Sequence, residues 1–201
     1  MKTNSELRAL ARSQLKGSWL IAVGLTLIYC IIIGASNIIP GIGPLFIGGP
    51  LTFGFLGYFL KKARGEQVEI ENLFDGFKLF GSTFLLYLLQ CIFIALWSCL
   101  LIIPGIVKCL SYSMSFFILK DNPEIGAMEA INQSRKMMVG HKGKLFLLCL
   151  SFSGWIFLTC LSFGIGLLWL YPYMSLSIAN FYEGLKQNQS NISNQTENQA
   201  G

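Results

Sequence analysis

The stretch LLYLLQCIFIALWSCLLIIPGIVKCLSYSMSFFIL, residues 85–119, decides the fold class of this chain. It is a long apolar run with a single interruption at Pro104 and Gly105. Proline removes a backbone donor and glycine permits the dihedral angles of a tight turn. A segment of this length and composition can cross a bilayer, reverse, and return. We therefore predict a transmembrane helical hairpin.

The composition of the whole chain points to the same class. Of its 201 residues, 53% are hydrophobic and 12% are charged, and the mean hydropathy is +0.58. Ordinary soluble domains carry about twice that charged fraction, which disfavours a soluble globular protein. The six cysteines all lie in apolar runs without a CxxC pair, so we interpret them as small buried apolar residues rather than metal ligands or disulfide partners.

Working outward from the central hairpin predicts an all-α membrane protein with six transmembrane helices, arranged as three helical hairpins with interfacial amphipathic helices. The predicted spans are 17–39, 44–60, 81–103, 106–119, 145–161 and 165–182. The residues that would form the structural turns between paired spans are Pro40, Gly41, Pro104, Gly105 and Gly164. Residues 1–186 form one transmembrane domain, and residues 187–201, rich in Asn, Gln and Ser, are predicted to be a disordered polar tail.

The second span is unusual because it contains four glycines and Pro50 within 48–57. Such a segment can be locally unwound and line a substrate site, as in transporters. Alternatively, the small residues allow neighbouring helices to approach closely. We favour the packing interpretation.

Three amphipathic segments are predicted, at 3–16, 66–80 and 122–139. Thr3 and Glu6 have the spacing of a capping box at the start of the first, and Asn122 followed by Pro123 resembles the start of the third. The first segment carries basic residues beside an apolar face. It would either lie among lipid headgroups or present a solvated charged face.

Three glycines, Gly17, Gly81 and Gly143, precede apolar runs at intervals of 64 and 62 residues. Similar intervals are typical of internal repeats. Because every membrane hairpin needs a helix breaker at its turn, convergence explains the pattern equally well. Both explanations remain open.

The distribution of charge predicts the membrane topology. If both termini are inside, all of the fifteen Lys and Arg residues except Lys108 fall on the inner side, together with all ten acidic residues. Positive residues inside are the usual pattern in cytoplasmic membranes. Lys108 follows the central turn, so we expect its amine to reach the outer headgroups or to contact an anionic lipid or substrate.

Two groups of candidate site residues follow. The candidate lipid or partner contacts are the cations Arg8, Arg12, Lys16, Arg135, Lys136 and Lys108. The candidate polar interior consists of Gln90, Ser98, Ser111, Ser113 and Thr159, which would either line a polar path or hold helices together through hydrogen bonds. No pattern typical of catalysis, of a cofactor site or of a metal site is present.

Several short motifs resemble those of a bacterial integral membrane family catalogued as domain of unknown function 975. They are LFDGF at 73–77, IIPGI at 102–106, YSM at 112–114, DNPE at 121–124, PY at 172–173 and NFY at 180–182. The resemblance covers nearly the whole chain except the polar tail. It implies a multi-span protein of the bacterial cytoplasmic membrane and assigns no reaction, ligand or site residue.

From these observations we expect a non-enzymatic membrane protein that binds anionic lipid, or a partner membrane protein, through its basic cytoplasmic face. The alternative is a small-solute transporter or channel subunit that uses the second span and the polar residues around Gln90. We expect no cofactor and no nucleic acid as partner.

Overall fold

The computed structural model of the protein describes residues 2–38, 42–100, 102–161 and 164–200. All regular elements in these ranges are helices, which confirms the all-α prediction. A short 3₁₀ helix, Ile70–Phe74, precedes α4. The α-helices are α1 (Asn4–Leu15), α2 (Trp19–Ser36), α3 (Ile42–Ala63), α4 (Asp75–Lys78), α5 (Phe80–Leu100), α6 (Ile102–Tyr112), α7 (Ser115–Asp121), α8 (Ala127–Met137), α9 (Lys142–Leu150), α10 (Ser153–Leu161) and α11 (Leu167–Ala200).

Four helical stretches are long and apolar enough to cross a membrane. They are Trp19–Ser36, Gly43–Ala63, Phe80–Cys99 and Ile103–Asp121, and they correspond to the first four predicted spans. A helix needs about 20 residues to cross the hydrocarbon core. The last two predicted spans take a different form, so the described helices do not by themselves amount to six spans.

The fifth predicted span, 145–161, is divided into α9 and α10, each of nine residues. The chain bends between them at Ser151 and Phe152. Phe152 is buried, and its ring packs edge-on against Tyr173 at a centroid distance of 5.2 Å. Neither residue of the bend is glycine or proline. The aromatic contact with α11 holds the bend instead.

The sixth predicted span is the beginning of α11, which continues without interruption to Ala200. Composition alone predicts disorder for 187–200, whereas the structure extends the helix through it. Continuing an existing helix is much easier than starting one, because only the first turn has to be nucleated.

The predicted turn at Pro104 and Gly105 is wrong in position. Both residues lie in the first turns of α6, so they belong to the helix that follows α5 rather than to a turn. Proline is tolerated there because the first N–H groups of a helix have no partner within it. Gly105 serves packing instead, since a Cβ would lie only 2.5 Å from Oγ of Ser98 on α5.

The other predicted turns have mixed outcomes. Gly164 has a φ of +84° and lies in a turn before α11, as predicted. Pro40 and Gly41 lie outside the described residues.

Helix α3 is the centre of the bundle. In its membrane-length window 61% of residues are buried, against 17% for α2 and 11% for α5, whose apolar side chains face outward. The cysteines, which we expected to be buried, follow the outward pattern, and Cys30, Cys91, Cys99 and Cys109 are exposed. Outward apolar surface on this scale is typical of lipid-facing helices.

The glycines of α3 account for its central position. The helix is continuous through Pro50, so the second span is not unwound. A Cβ on Gly49 would lie 2.6 Å from the carbonyl oxygen of Thr83 on α5, and one on Gly54 would overlap the carbonyl of Leu73. The packing interpretation of these glycines is therefore correct.

Two of the three amphipathic segments pack against protein. Thr3 and Glu6 form the predicted capping box of α1, but the apolar face of α1 is buried, largely against α11, rather than lying in lipid or water. Helix α8 begins at Ala127 rather than at Asn122, because Asn122 ends α7 by donating its N–H to the Ile118 carbonyl at 2.9 Å.

The segment 66–80 also retains exposed apolar side chains. It forms the 3₁₀ helix and α4, from which Ile70, Phe74 and Phe77 are exposed. These side chains continue the outward apolar surface of α5, which is the arrangement expected of an interfacial segment.

Gly54→Ala should destabilise the protein by about 1–3 kcal/mol, because the new methyl group would press on the Leu73 carbonyl. The matched control is Gly24→Ala in α2, where the added methyl group would meet no neighbouring atom within 4 Å. Alanine is a better helix former than glycine, so the control should keep or gain stability. Thermal unfolding in detergent micelles measures both, and equal stability of the two variants would contradict the packing role.

Candidate functional site

Four cations from three helices line one cavity of about 410 Å³. Lys108 comes from α6, Arg135 and Lys136 come from the end of α8, and Lys142 begins α9. We call this space the basic cavity. Its other lining residues are Ser111, Glu129, Asn132 and Val139.

Helix α8 is held beside α6 by a single buried hydroxyl. The hydroxyl of Ser134 donates to the carbonyl of Ser111 at 2.7 Å and accepts the N–H of Met114 at 3.2 Å. The contact fixes the rotation of α8, so that its next two residues, Arg135 and Lys136, reach the cavity. The chain then turns at Gly140, which has a φ of +77°, and Lys142 follows.

Ser134 also repairs an interruption between α6 and α7. The helices stop at Tyr112 and resume at Ser115, which frees backbone groups that would otherwise pair within a helix. Ser134 satisfies two of them, and Gln90 on α5 donates to the Tyr112 carbonyl at 3.1 Å. We call Gln90 and Ser134 the clasp, because they bind the interruption from two neighbouring helices.

The cations of the basic cavity have no ion-pair partner among the residues that the structure describes. Glu129 supplies one lining carboxylate, which accepts a hydrogen bond from Gln133 at 3.2 Å. With four cations and one carboxylate charged, the lining carries three net positive charges. Lys108 lies over the ring of Trp97 at 4.4 Å, a cation–π contact that leaves its charge uncancelled.

Apolar surface borders the cavity. Val139 lines it and is 69% exposed. Trp97, which contacts Lys108, is also exposed, as is Phe146, one turn after Lys142. A ligand in this cavity would therefore meet charge at one end and an outward apolar surface at the other.

Other cations, by contrast, are neutralised by acidic residues. Asp121 accepts hydrogen bonds from Arg64 and Tyr182, both at 2.9 Å, and from Lys186 at 2.7 Å. Arg64 also donates to Glu183 at 2.7 Å. These contacts join the ends of α3 and α7 to the middle of α11, so their role is structural.

A second ion-paired cluster surrounds Asp75. Its carboxylate accepts hydrogen bonds from Lys78 and Lys120, each at 3.0 Å, and lies 3.7 Å from Lys61. Burial opposes ionisation of Asp75, but the hydrogen bonds from the two lysines outweigh it and hold the pKa of the carboxyl below its usual range. The cluster ties α4 to α3 and α7.

Of the six cations predicted to contact lipid or a partner, the structure brings together Lys108, Arg135 and Lys136. Lys108, which we expected to reach the outer headgroups or to contact an anionic lipid or substrate, shares a cavity with cations of α8 and α9. The other three predicted cations lie on α1, away from the cavity lining. Arg12 lies 5.9 Å from the ring of Tyr173, Lys16 is exposed at the end of the helix, and Arg8 is half-buried.

The predicted polar interior does not converge on one path. Gln90 belongs to the clasp, and three hydroxyls donate to carbonyls three or four residues earlier in the chain: Ser111 to Val107, Ser113 to Leu110 and Thr159 to Ile156. Ser98 packs against Gly105. Ser111 is the member of this group that lines the basic cavity.

Sequence reasoning missed Lys142, Asn132 and the clasp residue Ser134. A signal for part of the site was present, because Asn132, Arg135, Lys136 and Val139 have the spacing of one helix face. Nothing in the sequence indicated that α6 would complete that face with Lys108. In the described part of the chain, no three His, Cys, Asp or Glu side chains are grouped as metal ligands would be.

Ser134→Ala should destabilise the protein by about 1–3 kcal/mol, because it leaves the Ser111 carbonyl and the Met114 N–H without their partner in a buried position. Ser113→Ala is the matched control, since its hydroxyl serves only the Leu110 carbonyl at 2.8 Å. Thermal unfolding of both variants in one detergent provides the measurement. If Ser113→Ala is as unstable as Ser134→Ala, the hydrogen bonds of Ser134 contribute no more to stability than one ordinary hydroxyl–carbonyl bond.

Comparison with known proteins bears on the family. A family model described as "Protein of unknown function (DUF975)" matches residues 1–111 and 99–189. No curated protein and no solved structure matches the chain. The two matched ranges together include the basic cavity and the clasp. The chain therefore belongs to the DUF975 family.

Proposed function

We propose that this protein is a non-enzymatic component of the bacterial cytoplasmic membrane that binds anionic lipid headgroups through the face that carries the basic cavity. The observation that carries the proposal is the basic cavity, where four cations converge without ion-pair partners among the described residues. Binding of a partner membrane protein through the same face is the other form of this proposal.

The contrast with the Asp75 and Asp121 clusters supports this assignment. There, each cation lies within ion-pairing distance of an acidic residue. In the basic cavity the positive potential remains available to an external anion. A basic residue near an anionic membrane surface contributes about 1 kcal/mol to binding, so four acting together give a substantial affinity.

The border of the cavity favours lipid over a soluble anion. Exposed Val139 and Trp97 lie beside the charged residues, so acyl chains can continue along the apolar surface while the headgroup meets the cations. Basic pockets between transmembrane helices commonly hold anionic headgroups in this way.

We further propose a topology of six spans with both termini inside, in which α9 with α10, and the first half of α11, provide the fifth and sixth crossings. The Asp121 cluster supports part of it, because Arg64, Asp121 and Glu183, all predicted to be inside, meet at one end of the bundle. The excess of Lys and Arg predicted inside supports the same orientation.

Reporter fusions test this topology. Fusions after Glu66, Gln133 and Gln187 should report the inside, and a fusion after Gly164 should report the outside. An external signal after Gln133 would contradict the topology, because six spans with both termini inside place α8, which contains this residue, on the inside.

Lipid retention by the purified full-length chain tests the function. The triple variant Lys108→Gln, Arg135→Gln, Lys142→Gln should bind anionic lipid about a hundredfold more weakly, since three cations contribute about 1 kcal/mol each. The control Lys2→Gln, Lys16→Gln, Lys144→Gln removes the same charge outside the cavity lining. Native mass spectrometry measures the bound lipid, and equal losses in both variants would count against the cavity.

A small-solute transporter or channel subunit is the second candidate. The interruption between α6 and α7, bound by Gln90, favours it, because discontinuous helices form substrate sites in transporters. Solute flux through reconstituted vesicles that Gln90→Leu reduces would support this candidate over lipid binding.

A further inference from the structure

We propose that the basic cavity binds a phosphate monoester, which carries close to two negative charges, in preference to the singly charged phosphodiester of common headgroups. This inference rests on the proposed function, because it specifies the ligand of the same site.

The number of charges in the cavity lining favours a doubly charged ligand. Four cations and Glu129 leave three net positive charges in the lining. A phosphodiester headgroup supplies one negative charge and would leave neighbouring cations to repel one another. A phosphate monoester carries about −1.5 to −2 at pH 7 and neutralises most of the excess.

The arrangement of the hydrogen-bond donors favours a terminal phosphate group. The cations come from three helices, α6, α8 and α9, so donors from three elements line the same cavity. Arg135 offers a planar fork that can bind two phosphate oxygens at once, whereas lysines act as point charges. A terminal phosphate group exposes three oxygens to such a set of donors. A phosphodiester exposes two, since its other oxygens are esterified.

Headgroups that carry an amine fit this cavity poorly. Ethanolamine and choline would bring a positive charge among four cations, and like charges at close range repel. Glu129 is the one lining carboxylate that could pair with such an amine, and the four cations outnumber it.

The size of the cavity and its border bear on the source of the phosphate. Its volume of about 410 Å³ falls in the range of sites for small organic molecules, about 300–1,000 Å³. It therefore holds more than a bare phosphate ion. Exposed Val139 and Phe146 extend the border with apolar surface, so the lipid phosphatidic acid fits the site better than a soluble phosphate monoester does.

The experiment uses full-length protein in phosphatidylcholine nanodiscs that contain equal fractions of phosphatidic acid and phosphatidylglycerol. Native mass spectrometry should find phosphatidic acid retained about tenfold more than phosphatidylglycerol. Lys142→Gln should abolish this preference, whereas Lys144→Gln, two residues further on and outside the cavity lining, should keep it. Thermal unfolding of both variants shows whether they are folded.

A pH series provides a measurement that needs no variant. The second pKa of a phosphate monoester is about 6. As the pH falls to about 5 the monoester loses its second charge, so the preference should shrink toward that of a singly charged lipid. A preference that is unchanged at acidic pH would overturn the proposal.

The remaining outcomes separate this inference from the proposed function. Equal retention of phosphatidic acid and phosphatidylglycerol, with both above phosphatidylcholine, would overturn the inference and leave anionic lipid binding intact. Retention of neither would overturn both. Glycerol 3-phosphate added alone tests the source: displacement of phosphatidic acid at comparable concentration would support the monoester chemistry with a soluble ligand, and weak displacement would support a lipid.

Discussion

The backbone of α3 lies directly against the backbones of α4 and α5, and the positions of the other helices depend on this contact. Gly49 faces the Thr83 carbonyl, and Gly76 of α4 faces the carbonyl of Pro50. In a membrane the apolar side chains gain little by leaving lipid, so helices are held by close packing and hydrogen bonds. Small residues at these contacts bring the helices within the short range of dispersion forces.

This packing also determines which charges meet. Lys120 on α7 lies against Gly57 and over the ring of Phe53 at 5.1 Å, so the last turns of α3 and α7 end together. Asp121 and Asp75 then bind cations from several elements. The cations of α6, α8 and α9 form no ion pair among the described residues, although Glu129 lines the same cavity, and this difference separates a structural surface from a candidate binding surface.

Much of the fold could be predicted from local chemistry. The capping box of Thr3 and Glu6, the turn at Gly164 and the packing role of the α3 glycines each depend on a few neighbouring residues. Other features depend on contacts between distant parts of the chain. The bend at Phe152 is held by Tyr173, and Pro104 belongs to the helix that follows the reversal rather than to the turn itself.

Half of the candidate site could be predicted from the sequence. Helical spacing identifies one face of α8, but the partner face on α6 depends on how the clasp orients the two helices. The local pattern assigns Lys108 to the opposite side of the membrane, because its position near a proline suggests a turn. The packing of the helices brings it into one cavity with cations of α8 and α9, which the same pattern assigns to the inside.

Ser111 belongs both to the wall of the basic cavity and to the contact that docks α8, since its carbonyl accepts the Ser134 hydroxyl. The site is therefore complete only when α8 is docked on α6. Any ligand that binds there stabilises the docked arrangement by mass action, in proportion to the logarithm of its concentration. With a bilayer lipid as the ligand, as proposed above, the composition of the bilayer enters the folding equilibrium of this chain, and a membrane that lacks that lipid contains the protein in a less stable form.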